Sequence, residues 1–142
     1  VPPAERRVAV VQLHNAVNEG VPKGHETDVI GYYHNLEEAL EDGMKLPATI
    51  LAWDLARLIN ICRWCYDTNL FTEQACWDYI MPAAGALQDN YASWKKLSDS
   101  YLAGLIMWTG VGMQAEVLKD NQKELLSEGS SPWQKLTWHQ SL

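Results

Sequence analysis

The chain carries apolar residues at helical spacing over most of its length. One clear series recurs at steps of three and four residues, which is typical of one side of a helix. It consists of Trp94, Leu97, Tyr101, Leu105 and Trp108. Ser93 precedes the series and is a favoured helix N-cap, and the two glycines within residues 109–112 end it. The pattern predicts a helix over residues 94–108.

Further helices are predicted from the same combination of apolar spacing, caps and breakers. They cover about residues 3–19, 36–42, 48–66, 73–89 and 113–127, and residues 130–138 are expected to form a closing helical turn. Thr72 caps the helix that starts at residue 73, and Pro82 inside that helix predicts a kink or a break. Residues 20–35 are expected to form a loop with a short extended piece at Val29–Tyr33, after which Asn35 caps the next helix.

These elements predict an all-α fold. We expect a single-domain orthogonal bundle of about five or six helices, with a long central helix near residues 48–66. A chain of 142 residues has room for one hydrophobic core, so residues 1–142 are expected to form one domain. The chain begins with Val1 rather than with methionine, and we expect it to be trimmed at its N-terminus.

The central helix has two unlike faces on a helical wheel at about 100° per residue. The expected core face consists of Leu51, Leu55, Leu58, Ile59, Cys62, Cys65 and Tyr66. The other face carries a ridge with the spacing i, i+4, i+7 and i+11, which consists of Trp53, Arg57, Asn60 and Trp64. A face open to water is not expected to carry two tryptophans, so the ridge is predicted to be a helix contact or a binding surface.

Two interpretations of Arg57 stay open. The residue is expected to be at least half buried and bonded to a carboxylate, first of all Asp54, because an unpaired buried charge is costly. In one interpretation Asp54, Arg57 and Arg63 form a structural polar network. In the other they line a pocket in which the two arginines bind an anionic group and Asp54 or Glu73 acts as a base. The candidate binding residues are Trp53, Asp54, Arg57, Asn60, Arg63, Trp64 and Glu73, and no catalytic residue is assigned.

The net charge of −7 is concentrated in one segment. Residues 26–42 contain six acidic residues and no lysine or arginine. Within it, Glu37, Glu38, Glu41 and Asp42 are predicted to form either a solvated face or a patch that attracts a basic protein partner. No basic stripe is present, so nucleic-acid binding is not expected. The longest uncharged run, residues 100–115, is too short for a membrane helix, and membrane association is not expected.

The cysteines and histidines do not predict a metal site. Cys62, Cys65 and Cys76 are an odd number, which predicts reduced thiols in the cytoplasm rather than a disulfide framework. Cys62 and Cys65 have C-x-x-C spacing, but no second pair follows at the spacing of zinc ligands. The four histidines are scattered along the chain. We therefore expect no metal and no cofactor.

Three stretches carry a resemblance to a known family. They read AWDLARLINICRWCYDTNLFTEQACW (residues 52–77), SWKKLSDSYLAG (residues 93–104) and SPWQKLTW (residues 131–138). Together they resemble the YbeU/YbeR-like proteins, a bacterial family of unknown function, over about residues 48–138. The matching positions are Trp53, Asp54, Arg57, Arg63, Glu73, Trp77, Ser93, Trp94, Tyr101, Trp133 and Trp138. The chain has Leu105 where the family pattern has arginine, so a site that used this arginine would be altered here.

The resemblance implies an intracellular bacterial α-helical domain and no established activity. The residues themselves lead to two hypotheses. The first is a non-catalytic protein-interaction domain, of an immunity-like or accessory kind, with a basic partner. It rests on the acidic segment and on a composition with seven tryptophans. The alternative is an enzyme or effector domain with an anion-binding site at the Asp54/Arg57/Arg63 face.

Overall fold

A computed structural model gives the positions of residues 26–142, and the helix predicted over residues 3–19 lies outside this described part. Residues 26–142 form five helices of 15 residues or more and one short helix, and they contain no β-strand. The helices are α1 (Glu26–Glu41), α2 (Leu51–Asp67), α3 (Glu73–Asn90), α4 (Trp94–Thr109), α5 (Met113–Ser127) and α6 (Pro132–Lys135). The all-α fold predicted from the sequence is confirmed.

Helix α1 differs from the prediction. It runs without interruption through residues 29–35, where we expected an extended piece followed by an Asn35 cap. Asn35 lies inside the helix and its Nδ2 donates to the carbonyl of Met107 in α4, at 2.9 Å. The side chain therefore makes a contact between helices instead of capping one, and Ala39 follows one turn later as a buried residue. Gly43, with a φ of 88°, ends the segment as expected.

The starts of α3 and α4 are confirmed at the predicted caps. Thr72 Oγ1 accepts from the amide of Ala75 at 3.2 Å, and Ser93 Oγ accepts from the amide of Lys96 at 3.2 Å. Helix α3 continues through Pro82, so the predicted break does not occur there. Pro82 is exposed, and so is Asp78, the residue whose carbonyl loses its helical partner to the proline.

Helix α4 is the helix on which the others assemble. It packs against α1, α2 and α5, and it supplies six buried residues. These residues are Ser98, Ser100, Leu102, Ala103, Gly104 and Ile106. The core face predicted on α2 is confirmed in part, since Leu51, Leu55 and Ile59 are partly buried and pack against a buried cluster. On α2 only Ala52, Trp53 and Cys62 are buried, whereas Tyr66 is half exposed.

Trp53 of α2 is buried because α4 offers a glycine opposite it. A Cβ atom built on Gly104 would overlap Trp53 Cβ and would lie 2.5 Å from Trp53 Cγ. The glycine lets the two helix backbones approach closely, and the indole fills the space next to it.

A buried chain of hydrogen bonds fixes the start of α2. The amide of Ala52 donates to the hydroxyl of Tyr91 at 2.8 Å, and that hydroxyl lies 2.7 Å from Ser100 Oγ. Ser100 Oγ donates to the carbonyl of Thr49 at 2.7 Å. Because Ser100 uses its only proton on Thr49, the proton between the two hydroxyls comes from Tyr91. Three segments of the chain are thus joined by one polar network.

Indole and amide groups hold the C-terminal segment against the junction of α3 and α4. Trp94 Nε1 donates to the carbonyl of Leu136 at 3.0 Å, and Trp138 Nε1 donates to the carbonyl of Tyr91 at 2.6 Å. Gln88 Nε2 donates to the carbonyls of Trp138 and Gln140. The tryptophans matched by the sequence resemblance at 94, 133 and 138 also contact one another as rings, so in this region they are structural.

Candidate functional site

The ridge predicted on α2 is real, but its residues have different environments. Trp53 is 8% exposed and Trp64 is 64% exposed, at opposite ends of the ridge. Asn60 is half-buried and Arg57 is exposed. The ridge therefore passes from the interior to the surface, and Arg57 lies where it leaves the interior.

Arg57 is held by indoles and not by a carboxylate. Its guanidinium carbon lies 4.9 Å from the centre of the Trp53 ring and 5.8 Å from that of Trp108. Within residues 26–142 it forms no ion pair, and the expected pair with Asp54 is wrong. Water can hydrate the exposed guanidinium, so no buried carboxylate is required to balance its charge.

Each of the two indoles that contact Arg57 also contacts a second ring. Trp53 lies 5.1 Å from Tyr101 between ring centres, and Trp108 stacks on Tyr32 at 5.5 Å. These four rings, with Arg57 among them, come from α1, α2 and α4, and we refer to them as the aromatic column. Three helices therefore fix the place of one exposed cation.

Arg57 also lines an open cavity of about 360 Å³, the Arg57 cavity. Its other lining residues are Asp54, Leu58, Ile61, Cys62, Phe71 and Tyr79. Phe71 and Tyr79 stack on each other with ring centres 5.8 Å apart and form an aromatic wall. The cavity thus combines one cation and one carboxylate with mainly apolar walls, which suits a small molecule or side chain with an anionic end.

Arg63 lies in a different cavity. This Arg63 cavity has a volume of about 430 Å³ and is lined by Ile59, Arg63, Tyr66, Asp67, Glu73, Cys76, Trp77 and Ile80. It shares no lining residue with the Arg57 cavity. The two arginines and Glu73 were expected to converge on one anion, and the structure separates Arg57 from the other two.

The acidic segment lies apart from both cavities. Glu38, Glu41 and Asp42 are exposed at the C-terminal end of α1 and just after it. The side chain of Glu37 is 44% exposed, and its carboxylate lies 3.6 Å from Nδ1 of His34. None of the four acidic residues lines the Arg57 cavity or the Arg63 cavity.

Comparison with known proteins gives a family and no activity. A family described as a protein of unknown function (DUF1266) matches residues 4–138. The chain belongs to the DUF1266 family. No curated protein and no solved structure matches the chain. The family match begins at residue 4, so it extends well beyond residues 48–138, where the sequence resemblance lay.

The thiols of this DUF1266 domain are structural. Cys62 and Cys76 are buried and Cys65 is half-buried. Cys76 Sγ donates to the carbonyl of Cys62 at 3.2 Å, which ties α3 to α2. Burial is the main cause that raises the pKa of the Cys76 thiol, and the neighbouring Cys62 and Cys65 raise it further. The thiolate of Cys76 is therefore disfavoured.

The described part of the DUF1266 domain, residues 26–142, contains neither a candidate metal site nor a helix that could span a membrane. Within residues 26–142 no group of three or more histidine, cysteine or acidic residues could hold a metal ion. In the same part of the chain, every helix is too short or too polar to cross a membrane.

Several residues that surround Arg57 or line its cavity were not predicted as site residues from the sequence. Trp108 and Tyr101 were predicted to lie on one side of a helix, and no site was assigned to them. Their spacing of seven residues places them on one side of α4, which was a usable signal. Tyr32 was missed because its segment was predicted as extended, and Phe71 and Tyr79 carry no periodic signal that marks a cavity wall.

Proposed function

We propose that this protein is a binding domain whose site is the Arg57 cavity and whose ligand carries a carboxylate or phosphate on an apolar body. The observation that supports the proposal is the state of Arg57. It is an exposed guanidinium, placed by two indoles, at the wall of a cavity and without a carboxylate partner among the described residues.

The ring contacts position the guanidinium of Arg57. Its carbon lies over the Trp53 and Trp108 rings, and its N–H groups have no carboxylate acceptor among the described residues. Those N–H groups can form two parallel hydrogen bonds with a carboxylate or a phosphate. A guanidinium already positioned by Trp53 and Trp108 loses less conformational freedom on binding than a free one.

The remaining walls determine the rest of the ligand. Leu58, Ile61, Phe71 and Tyr79 provide apolar and aromatic surface, and the volume of about 360 Å³ is at the small end of ligand sites. Asp54 is a hydrogen-bond acceptor and repels a second anionic group. The site therefore suits a compact anion with one apolar side, such as an aromatic carboxylate or a carboxylate side chain on a partner.

Hydrocinnamate tests the proposal as a probe with one carboxylate and one aromatic ring. Nitrogen-edited NMR spectra follow the indole N–H signals of Trp53 and Trp108 during a titration. We expect both signals to shift on saturation. Arg57→Met should weaken binding about tenfold or more, because it removes a charged hydrogen bond. Asp54→Asn should strengthen it by removing repulsion.

A matched control is available on the same helix. Arg63→Met removes the other exposed arginine of α2 and should leave hydrocinnamate binding unchanged. Arg57→Met should change the free energy of unfolding by about 1 kcal/mol or less, because exposed cation–π contacts contribute little. Binding that is undetectable up to about 10 mM, or that is unaffected by Arg57→Met, would contradict the proposal.

The acidic segment supports a second function, binding of a basic protein partner. Glu38, Glu41 and Asp42 are exposed, and residues 26–44 contain no lysine or arginine to neutralise them. Such a surface attracts a basic partner over a distance and makes association sensitive to salt. We also propose that the protein has an immunity-like or accessory role in the cytoplasm of a bacterium, and that it is closely related to the YbeU/YbeR-like proteins.

The second function is tested by affinity capture from a bacterial lysate at low and at high salt. A triple variant, Glu38→Lys, Glu41→Lys and Asp42→Lys, should lose a salt-sensitive partner that the wild type retains. Charge reversal of Glu124 on α5 provides the control. If the triple variant still retains the partner, the interaction uses another surface and the proposal for the acidic segment is contradicted.

A further inference from the structure

The Arg63 cavity combines charges of both signs with aromatic walls. Arg63 lies on α2 and Asp67 one turn later, and Glu73 is the first residue of α3. All three side chains are exposed, and none of them forms an ion pair with another residue of the described part of the chain. One guanidinium and two carboxylates are therefore available to a molecule in this cavity of about 430 Å³.

Two carboxylates of the Arg63 cavity, Asp67 and Glu73, favour a cation. Asp67 is the last residue of α2, where the helix dipole is also negative, so the two fields add. Glu73 accepts a hydrogen bond from Trp77 Nε1 at 3.4 Å, which places the carboxylate next to the indole. An ammonium group there would meet two carboxylates at the edge of an indole ring.

The other walls provide apolar surface. Tyr66 is 50% exposed and Trp77 is 48% exposed, so each ring has one side free for contact. Ile59, Ile80 and the buried Cys76 complete the lining. Large half-exposed aromatic residues next to unpaired charges are typical of binding sites rather than of a solvated surface.

We propose that the Arg63 cavity binds a small zwitterion of the amino-acid type, with an ammonium group, a carboxylate and an apolar or aromatic side chain. Arg63 receives the carboxylate, Asp67 and Glu73 receive the ammonium group, and Tyr66 and Trp77 flank the side chain. A ligand with only a positive charge would leave Arg63 opposed to it, and a ligand with only a negative charge would meet two carboxylates. The zwitterion satisfies all three charged residues at once.

This site goes beyond the Arg57 cavity and does not depend on it, because the two cavities have no residue in common. Three probes with the same phenyl group separate the contributions of the two charges, and the tryptophan signals separate the sites. L-phenylalanine carries both charges, phenethylamine only the ammonium group, and hydrocinnamate only the carboxylate. The indole N–H signal of Trp77 reports on the Arg63 cavity, whereas the signals of Trp53 and Trp108 report on the Arg57 cavity.

In the wild-type protein we expect L-phenylalanine to shift the Trp77 signal and to bind more tightly than phenethylamine. Arg63→Met should weaken L-phenylalanine about tenfold or more, because a charged hydrogen bond is lost, and should not weaken phenethylamine. Glu73→Gln and Asp67→Asn should weaken both probes. Lys123→Met removes an exposed cation of α5 that lines neither cavity, and it should leave both affinities, read from the Trp77 signal, unchanged.

Several results would overturn the proposal. One is an L-phenylalanine titration that leaves the Trp77 signal in place up to about 10 mM. Another is equal binding of L-phenylalanine and phenethylamine, which would identify a cation site in place of a zwitterion site. A third is unchanged L-phenylalanine binding in the Arg63 variant. A failure of hydrocinnamate at Trp53 and Trp108 concerns only the Arg57 cavity, so the outcomes of the two proposals are distinguishable.

Discussion

Trp53 and Trp64 lie on one ridge of α2, eleven residues apart, and only one of them is buried. Trp53 meets Gly104 of α4, where the missing side chain leaves room for an indole. Trp64 is 64% exposed and takes part in no ring contact within residues 26–142. The difference shows that the burial of a large side chain depends on a complementary space in the neighbouring helix as well as on the periodicity of its own helix.

Arg57 lies between these two environments. Its guanidinium contacts the buried indole of Trp53 and the half-exposed indole of Trp108, yet it remains exposed. An arginine at such a boundary is positioned by packing without being desolvated as a buried charge would be. The contrast between the two tryptophans therefore explains how α2 presents a fixed cation to a cavity.

The largest expected effect is the difference in stability between two variants, Trp53→Ala and Trp64→Ala. Trp53→Ala should lower the free energy of unfolding by about 3–5 kcal/mol, because it leaves a cavity against α4. Trp64→Ala should change it by about 0.5 kcal/mol or less, as exposed substitutions do. Chemical denaturation of both variants measures the difference. Equal losses in the two variants would show that Trp64 is covered in solution and would remove the basis of the comparison.

The complementary test acts on the space that receives Trp53. Gly104→Ala places a methyl group where Trp53 Cβ lies, so α2 and α4 must move apart, and we expect a loss of about 3 kcal/mol. Gly85→Ala on α3 is the matched control, since a Cβ there meets nothing within 4 Å. It should stabilise the protein by about 0.5–1 kcal/mol, because alanine is the better helix former.

Hydrocinnamate binding by the two glycine variants gives a second test of the packing of Trp53 against α4. In Gly104→Ala the indole of Trp53 must shift, so the contact with Arg57 should shift as well and hydrocinnamate binding should weaken. Gly85→Ala should leave that binding unchanged. If the alanine at 104 is accepted without loss, the close approach of the two helices is not what holds Trp53.

Local signals in the sequence predicted most helix ends and failed where the interactions are tertiary. Thr72 and Ser93 cap the helices that they were expected to cap, because a cap involves residues only three positions apart. Asparagine is a favoured N-cap residue, but the side-chain amide of Asn35 donates to the carbonyl of Met107, which is 72 residues away. No local rule contains that contact, and α1 was therefore predicted too short.

The candidate site was predicted in part for the same reason. The helical wheel placed Trp53 and Arg57 on one ridge, because the spacing within a helix is fixed. The wheel also separates Arg57 from Arg63 by about 120°, which argued against a common pocket. The cavity walls at Phe71 and Tyr79 and the ring of Trp108 come from other segments, and only the packing of the helices brings them to Arg57.

The start of α2 differs from the starts of α3 and α4 in a way that bears on the order of folding. Thr72 and Ser93 are caps supplied by the adjacent sequence, so α3 and α4 can begin before any tertiary contact exists. Ile50 offers no side-chain cap, and although Thr49 Oγ1 accepts from the amide of Leu51 at 3.1 Å, the amide of Ala52 is bound by Tyr91, 39 residues further along the chain. That bond requires closure of a long loop. We therefore expect the first turn of α2 to become stable only when the junction of α3 and α4 has docked, so that the helix carrying Arg57 is completed late.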